Sequence, residues 1–365
     1  MTDKKFDLND IVLIPAEKSE INSRSECEVE TSLNTLPLMA SPMDTVVSEN
    51  NYLTFIENKI IPCIPRGLSY KHLENDYLYF QSFGLKEIED QLDYYYKRVK
   101  RLFSSQDDVQ KFFTVNTHEH FYHFYHFPNV LIDIANGHMS KLIDIVKQIR
   151  TTFPDIQLMV GNVANPETFI NLGLAGVQYI RCSIGTGQGC TTAANVSINY
   201  PLGSLISECY KLRKSYNIDT KIVADGGMKN YSDIIKALAL GADYVMIGSI
   251  FNKSIESAGF NYLWGIKINN KMADLLWRYG FPIYKKYRGM STKSVQRSWG
   301  KSKLVTSEGI TKYQRVEYTL LQWVENFRDY LRSAMSYCNA RTLNDFIGKA
   351  EYVFITDAAR RRFEK

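Results

Sequence analysis

Lys221-Ile-Val-Ala-Asp-Gly-Gly-Met-Lys-Asn-Tyr-Ser-Asp-Ile-Ile-Lys-Ala-Leu-Ala-Leu-Gly-Ala-Asp-Tyr-Val-Met-Ile-Gly-Ser249 holds a complete strand, turn, helix and strand. Lys221–Ala224 is an apolar run, and Asp225-Gly226-Gly227 turns the chain. Asn230 or Ser232 can cap a helix whose apolar face carries Ile234, Ile235, Leu238 and Leu240. Asp243–Ile247 is a second apolar run, closed by Gly248-Ser249. Working outward, similar short runs stand at Leu36–Ala40, Ile60–Ile64, Val130–Ile134, Gln157–Val160 and Gly176–Arg181. They are near-continuous rather than alternating, as parallel strands buried on both faces are. Helical periods separate them: Leu142, Ile145, Val146 and Ile149 in Ser140–Thr152, and Leu205, Ile206, Cys209 and Leu212 in Leu202–Tyr216. The repeated alternation predicts an α/β fold, a (β/α)8 TIM barrel, with an open doubly wound sheet as the alternative. An eighth strand is expected near Ile283–Tyr287.

The 365 residues are 45% hydrophobic and 23% charged, enough for a sizeable core and inconsistent with general disorder. A net charge of +5 suits phosphate-bearing ligands, without the concentrated basic face of a nucleic-acid binder. No apolar run approaches the roughly 20 residues of a membrane span, and MTDKKFDLND does not read as a secretory signal. The six cysteines form no CxxC pair, which points to free thiols and a cytoplasmic setting.

Two stretches break the rhythm. Residues 66–128 read as a helical, aromatic-rich excursion, helical around Lys86–Phe103, and residues 291–314 as a short flap. Residues 315–365 form a C-terminal helical segment, with Leu320, Trp323, Val324, Phe327 and Leu331 on one face of Val316–Tyr337. One catalytic domain over 1–365 is expected. The histidine-rich run HEHFYHFYH (118–126) lacks zinc-site spacing, so it reads as a packing segment rather than a metal site. Tyr94–Tyr96 with Lys97, Arg98, Lys100 and Arg101 reads as the solvated face of an amphipathic helix.

Chemistry concentrates in Ser183-Ile-Gly-Thr-Gly-Gln-Gly-Cys190-Thr-Thr192. Its glycines permit backbone conformations closed to other residues and can turn amides or carbonyls toward an ion or phosphate. A cysteine on such a loop is a candidate nucleophile; a tight turn around a buried thiol is the alternative. Asp225-Gly226-Gly227 and Gly248-Ser249, on consecutive late strands, match the usual phosphate site of a barrel, and Asp225 is placed to accept hydrogen bonds from ribose hydroxyls.

These motifs, taken in order with FDLNDIVLIP (6–15), SRSE (23–26), ASPMDTV (40–46), IDIANGH (132–138), GNVANPET (161–168), YRGMS (287–291) and SAMSYCNARTLNDF (333–346), resemble the IMP dehydrogenase/GMP reductase family. The resemblance runs from about residue 6 to 357 and lacks a clear counterpart only for roughly 70–128. It implies a barrel, usually a homotetramer, that binds a purine nucleoside monophosphate (GMP or IMP) and a nicotinamide dinucleotide. Cys190 would be the nucleophile at purine C2, with Thr192 and Glu256 protonating the leaving nitrogen. Ser41, Met43, Asn162, Asp225, Gly226, Gly227, Gly248, Ser249, Tyr287, Gly289, Met290 and Ser291 would hold the nucleotide. Asp133, Ala135, Asn136 and Gly137 would face the cofactor. The carbonyls of Gly185, Gly187 and Cys190 would match a monovalent cation (K+) site.

The resemblance divides between two branches. A dehydrogenase oxidises IMP with NAD and hydrolyses the adduct with an Arg-Tyr pair on a long flap. Here STKSVQRSWGKSKLVTS (291–307) has no such pair, and the nearest base is Arg297. No regulatory insert is present, and Asp133-Ile-Ala-Asn is closer to the reductase form. ASPMDTV, YRGMS and SAMSYCNARTL lean toward the dehydrogenase. The balance favours NADPH-dependent reduction of GMP to IMP and ammonia. Thr186, Gln188 and Ala193 depart from both branches, Gln188 replacing a serine that commonly touches phosphate. A catalytically silent nucleotide-binding protein is the reading from another class.

Overall fold

The computed structural model describes residues 4–67, 78–102, 129–292, 295, 297 and 309–363. The chain opens with strand β1 (Ile11–Leu13). Eight strands then close a parallel barrel in chain order: β2 (Leu38–Ala40), β3 (Ile61–Ile64), β4 (Phe80–Phe83), β5 (Asn129–Asp133), β6 (Gln157–Val163), β7 (Tyr179–Cys182), β8 (Lys221–Asp225) and β9 (Tyr244–Ile247). β9 pairs with β2, which completes the ring. Side chains alternate across each strand. Met39, Ile61, Phe80, Leu131, Met159 and Tyr179 fill the barrel interior together with Val223, Tyr244 and Met246. The intervening residues, such as Val130, Ile132, Ile180, Ile222 and Val245, pack outward against the helices. Both faces of the sheet are therefore buried, the physical reason that its strands read as apolar runs.

The helices begin where their caps stand. Asn230, rather than Ser232, caps Tyr231–Leu240 by accepting the Asp233 N–H at 2.9 Å. Asn165 accepts from Glu167 and Thr168 ahead of Pro166–Leu174. Ser140–Thr152 buries Leu142, Ile145, Val146 and Ile149, the predicted face. No helix among the described residues is long and apolar enough to cross a membrane.

The eighth strand lies elsewhere than expected. It is Phe80-Gln-Ser-Phe83, inside the stretch read as an excursion, and Leu85–Leu102 follows it as an ordinary barrel helix. Gln81 and Ser82, both fully buried, interrupt the apolar run that identifies the other strands. The expected strand instead becomes β12 (Tyr284–Arg288) of an appended antiparallel sheet. Its partners are β10 (Asn261–Leu263), β11 (Ile266–Ile268) and β13 (Thr311–Arg315), in the order β11-β10-β12-β13. Lys285 and Tyr287 point inward while their neighbours stay more exposed, the alternation of a half-buried antiparallel strand. The histidine-rich run lies outside the described residues.

The C-terminal segment is not wholly helical. β13 reaches Arg315, so the long helix starts only at Leu320, behind a capping box of Thr319 and Gln322, and ends at Tyr337. β14 (Tyr352–Phe354) then pairs antiparallel with β1.

Candidate active site

Above the apolar interior, the next inward positions of three barrel strands are Asp133 on β5, Arg181 on β7 and Asp225 on β8. In the strand register Asp133 stands opposite Gly161, and Gly161 opposite Arg181. A side chain at Gly161 would meet Arg181 Cβ at 2.4 Å, so glycine there makes room for the arginine. Arg181 donates through Nη1 to Asp133 Oδ1 (2.6 Å) and through Nε and Nη2 to Asp225 Oδ2 (3.1 and 2.8 Å). Asn162 Nδ2 donates to the same Asp225 oxygen at 2.6 Å. Arg66 approaches Asp133 Oδ2 at 3.5 Å. Burial opposes the charge of Arg181, but Asp225 and Asp133 outweigh it and hold the guanidinium protonated. Asp225 is thus fixed through Oδ2, leaving Oδ1 for a ligand.

The loop after β7 packs over this layer. Gly185 has φ +80°, and a Cβ there would strike Ala193. Its neighbours hold the loop to β8: Ser183 Oγ donates to the Asp225 carbonyl, and Thr186 Oγ1 reaches it at 3.3 Å. Cys190 N donates to Gly187 O at 2.9 Å. The half-buried Cys190 thiol donates to Thr192 Oγ1 at 3.2 Å. From the other side, Ile310 N donates to Gly189 O at 3.0 Å, and Cys190 bridges to Gly309.

A third wall comes from the turns after β8 and β9. Gly226 and Gly227 have φ +82° and +85°. The N–H groups of Gly227 and Ser249 find no acceptor among the described residues. Tyr287 is buried, which pushes its phenol well above the ordinary value, and its hydroxyl lies 3.6 Å from Met43 Sδ. Together these elements enclose a cavity of about 430 Å³, within the usual range for a small-molecule site.

Every residue expected to hold the nucleotide lines this cavity, as do Cys190, Thr192, Gly185, Gly187, Asp133 and Ala135. Three expected residues do not. Glu256 Oε2 accepts the Leu320 N–H at 2.9 Å, at the N-terminus of the long C-terminal helix. A carboxylate there satisfies an orphan helix donor and is favoured by the helix dipole. Asn136 shapes the turn after β5 by accepting from His138 N (3.1 Å). Gly137 donates to Asn162 O at 2.9 Å, and a side chain there would collide with that carbonyl. Sequence reading missed Arg181 and Arg66. A lone arginine in the apolar run Tyr179–Cys182, two positions beyond the inward-facing Tyr179, was the available signal.

The nicotinamide group fits the residues present. Asp133 and Ala135 open onto the same cavity as Cys190, and the Arg66 guanidinium lines it beside Asp133. For K+, Gly187 O is already an acceptor for Cys190 N. No cluster of three or more His, Cys, Asp or Glu that could hold a metal ion occurs among the described residues.

The closed parallel barrel thus carries, at the C-terminal ends of its strands, a cysteine on a glycine-rich loop beside paired glycine turns. Residues 126–364 match the IMP dehydrogenase / GMP reductase domain, and the chain belongs to that family. An inosine-5'-monophosphate dehydrogenase of Chlorobaculum parvum is 32% identical over 244 residues, 64% of this chain and 46% of the relative. The chain thus spans about half the length of such relatives. A GMP reductase of Shouchella clausii is 29% identical over 370 residues, 98% of each chain. An inosine-5'-monophosphate dehydrogenase of Borreliella burgdorferi is 23% identical over 98% of this chain.

Proposed function

We propose that the chain is a purine nucleotide oxidoreductase that reduces GMP to IMP and ammonia with NADPH, through a covalent bond between Cys190 and purine C2. The observation that carries this reading is the Cys190 thiol facing the cavity, 3.2 Å from the Thr192 hydroxyl. The ribose would lie on Asp225 Oδ1, and the 5′-phosphate on the unpaired amides of Gly227 and Ser249. Held from below by Arg181 and Asn162, Asp225 presents a charged acceptor without moving.

Cys190 sulfur adds to C2 as the thiol proton leaves by way of Thr192 Oγ1. The C2–N bond breaks, and the amino group departs as ammonia after taking up a proton. NADPH, when bound, supplies the hydride that C2 requires. The C2–S bond then breaks, returning the thiolate and freeing IMP. With Glu256 committed to the helix, Thr192 is the proton carrier nearest the thiol.

The relatives that match along the whole chain include GMP reductases at 25–29% identity. A second reading, oxidation of IMP with NAD, draws on the dehydrogenases matched at 32–33% over 64% of this chain and at 23% over 98% of it. A two-way assay separates them by following nicotinamide absorbance with GMP plus NADPH and with IMP plus NAD. Oxidation of NADPH with release of ammonia is the expected result. Sustained, multiple-turnover NADH formation from IMP would overturn the direction and leave the Cys190 adduct standing. Nucleotide binding without turnover in either direction would favour a silent binding protein.

A further inference from the structure

β13 of the appended sheet runs beside Tyr287, and Lys312 is its direct partner in the register. Two side chains on one face of β13 reach back to the barrel. Gln314 Nε2 donates to the Ser249 carbonyl at 3.2 Å, and Lys312 Nζ donates to Gln188 Oε1 at 2.6 Å. The Lys312 ammonium also lies 5.3 Å from the centre of the Tyr287 ring. Around these groups the three phosphate-side elements converge. A Cβ on Gly226 would stand 3.2 Å from Gly187, one on Gly189 would stand 3.1 Å from Tyr287, and one on Gly248 would stand 3.5 Å from the Tyr287 hydroxyl.

Lys312 is half-buried and enters no ion pair among the described residues. Burial, reinforced by the nearby Lys253, disfavours its charge. Lys253 is itself paired with Glu317 at 2.9 Å. An ammonium whose sole polar partner among the described residues is an amide calls for an anion. The contact also orients that amide. Lysine can only donate, so Gln188 must offer Oε1 to it, and Nε2 becomes the free end. Nε2 has no acceptor among the described residues, and Gln188 lines the cavity.

We propose that Lys312 and Gln188 form a charged clamp for the 5′-phosphate. Gln188 Nε2 donates to a phosphate oxygen, and the ammonium behind it supplies the counter-charge. This assignment rests on the purine monophosphate reading above. A phosphate monoester is largely dianionic at neutral pH, and backbone amides alone offer it no full positive charge.

The test is calorimetric affinity for GMP, for the nucleoside guanosine, for NADPH and for NADH. It compares the wild-type chain with Lys312→Met, Lys312→Arg and Gln188→Ala. A charge-assisted contact predicts that Lys312→Met weakens GMP binding by about tenfold to a hundredfold. Guanosine affinity should stay within about twofold, because the nucleoside carries no phosphate. Lys312→Arg should keep most of the GMP affinity, and adding Gln188→Ala to Lys312→Met should cost less than Gln188→Ala does alone. Equal loss for GMP and guanosine, or no loss for GMP, overturns the clamp. Loss confined to NADPH relative to NADH overturns its assignment to the nucleotide. A wild-type chain that does not bind GMP overturns the functional reading itself, whereas wild-type binding untouched by Lys312→Met overturns the clamp alone.

Discussion

The barrel and the appended sheet solve the same problem, pairing backbone groups while burying apolar side chains, in opposite ways. The barrel buries both faces of every strand, so its inward positions are committed, layer by layer, to apolar filling and then to Asp133, Arg181 and Asp225. The appended sheet buries one face. Among the described residues its buried core is Leu263, Ala273, Ile283 and Val316, with Ile255, Ile268, Leu276 and Trp277 packed against it, and Trp264, Ile266 and Tyr313 stay more than half exposed. A charge in the barrel must therefore be balanced inside the barrel. The sheet can hold a side chain such as Lys312 at its edge, available to whatever the barrel binds. The candidate active site lies where the two meet, with the Cys190 loop held from below by β8 and from above by Gly289, Gly309 and Ile310.

The comparison can be broken first at the loop between the regions. Cys190→Ala should lower turnover by at least about 10³-fold and leave nucleotide affinity within a few-fold, measured by steady-state kinetics and calorimetry. Retention of more than a few per cent of the rate would exclude the covalent route.

Breaking the barrel's internal balance comes next. Arg181→Met leaves the buried Asp225 and the half-buried Asp133 without their common partner, a loss of about 3–5 kcal/mol, read by denaturant unfolding. An unchanged unfolding midpoint would mean that the charge layer does not hold the barrel. Glu256→Gln is the sharper control. It retains an oxygen for the Leu320 N–H, so ammonia release should stay within a few-fold of wild type; a collapse of that step would return Glu256 to the chemistry.

Two glycines of the appended sheet give a matched pair, one against the Cys190 loop and one remote from it. An alanine at Gly289 would place Cβ 2.3 Å from Gly189 O, which the loop can accommodate only by shifting Cys190. Gly289→Ala should reduce kcat/KM by about 10²-fold. Gly265, with φ +82° on the hairpin of the appended sheet, has nothing within 4 Å of its Cβ position. Gly265→Ala should cost about 1 kcal/mol of stability through backbone strain and leave kcat/KM unchanged. Similar kinetic losses in both would show that the sheet transmits strain to the site.

The smallest effect concerns pH. Lys285 is buried on the inner face of β12, where desolvation lowers its pKa to about 7, against a smaller opposing pull from Glu256. The unfolded chain keeps that proton up to about pH 10, so the unfolded state binds more protons between these values. This group's contribution to stability therefore rises as pH increases from 7 toward 10. Lys285→Met should flatten that part of the wild-type profile of Tm against pH, and parallel profiles would show that Lys285 does not titrate there.

How much of this was readable beforehand follows from the same contrast. Seven barrel strands, a helix cap at Asn230 or Ser232 and the Cys190, Asp225 and Gly248 turns stand in local sequence, because double burial writes a strand as an apolar run and a tight turn demands glycine. Phe80–Phe83 escaped because Gln81 and Ser82 are polar in a place that only ring closure buries. Tyr284–Arg288 has strand character, but nothing local says which sheet it joins. Glu256 could serve an acid site or a helix end, and its contact with the helix end comes from Leu320, sixty-four positions away in the chain. The pairing of Arg181 with Asp133 and Asp225, and of Lys312 with Gln188, likewise joins residues distant in sequence. Periodicity and turn chemistry are properties of neighbours along the chain, and they determined the fold class and the loop chemistry. Charge balance depends on neighbours in space, and only barrel closure and the docking of the appended sheet decided it.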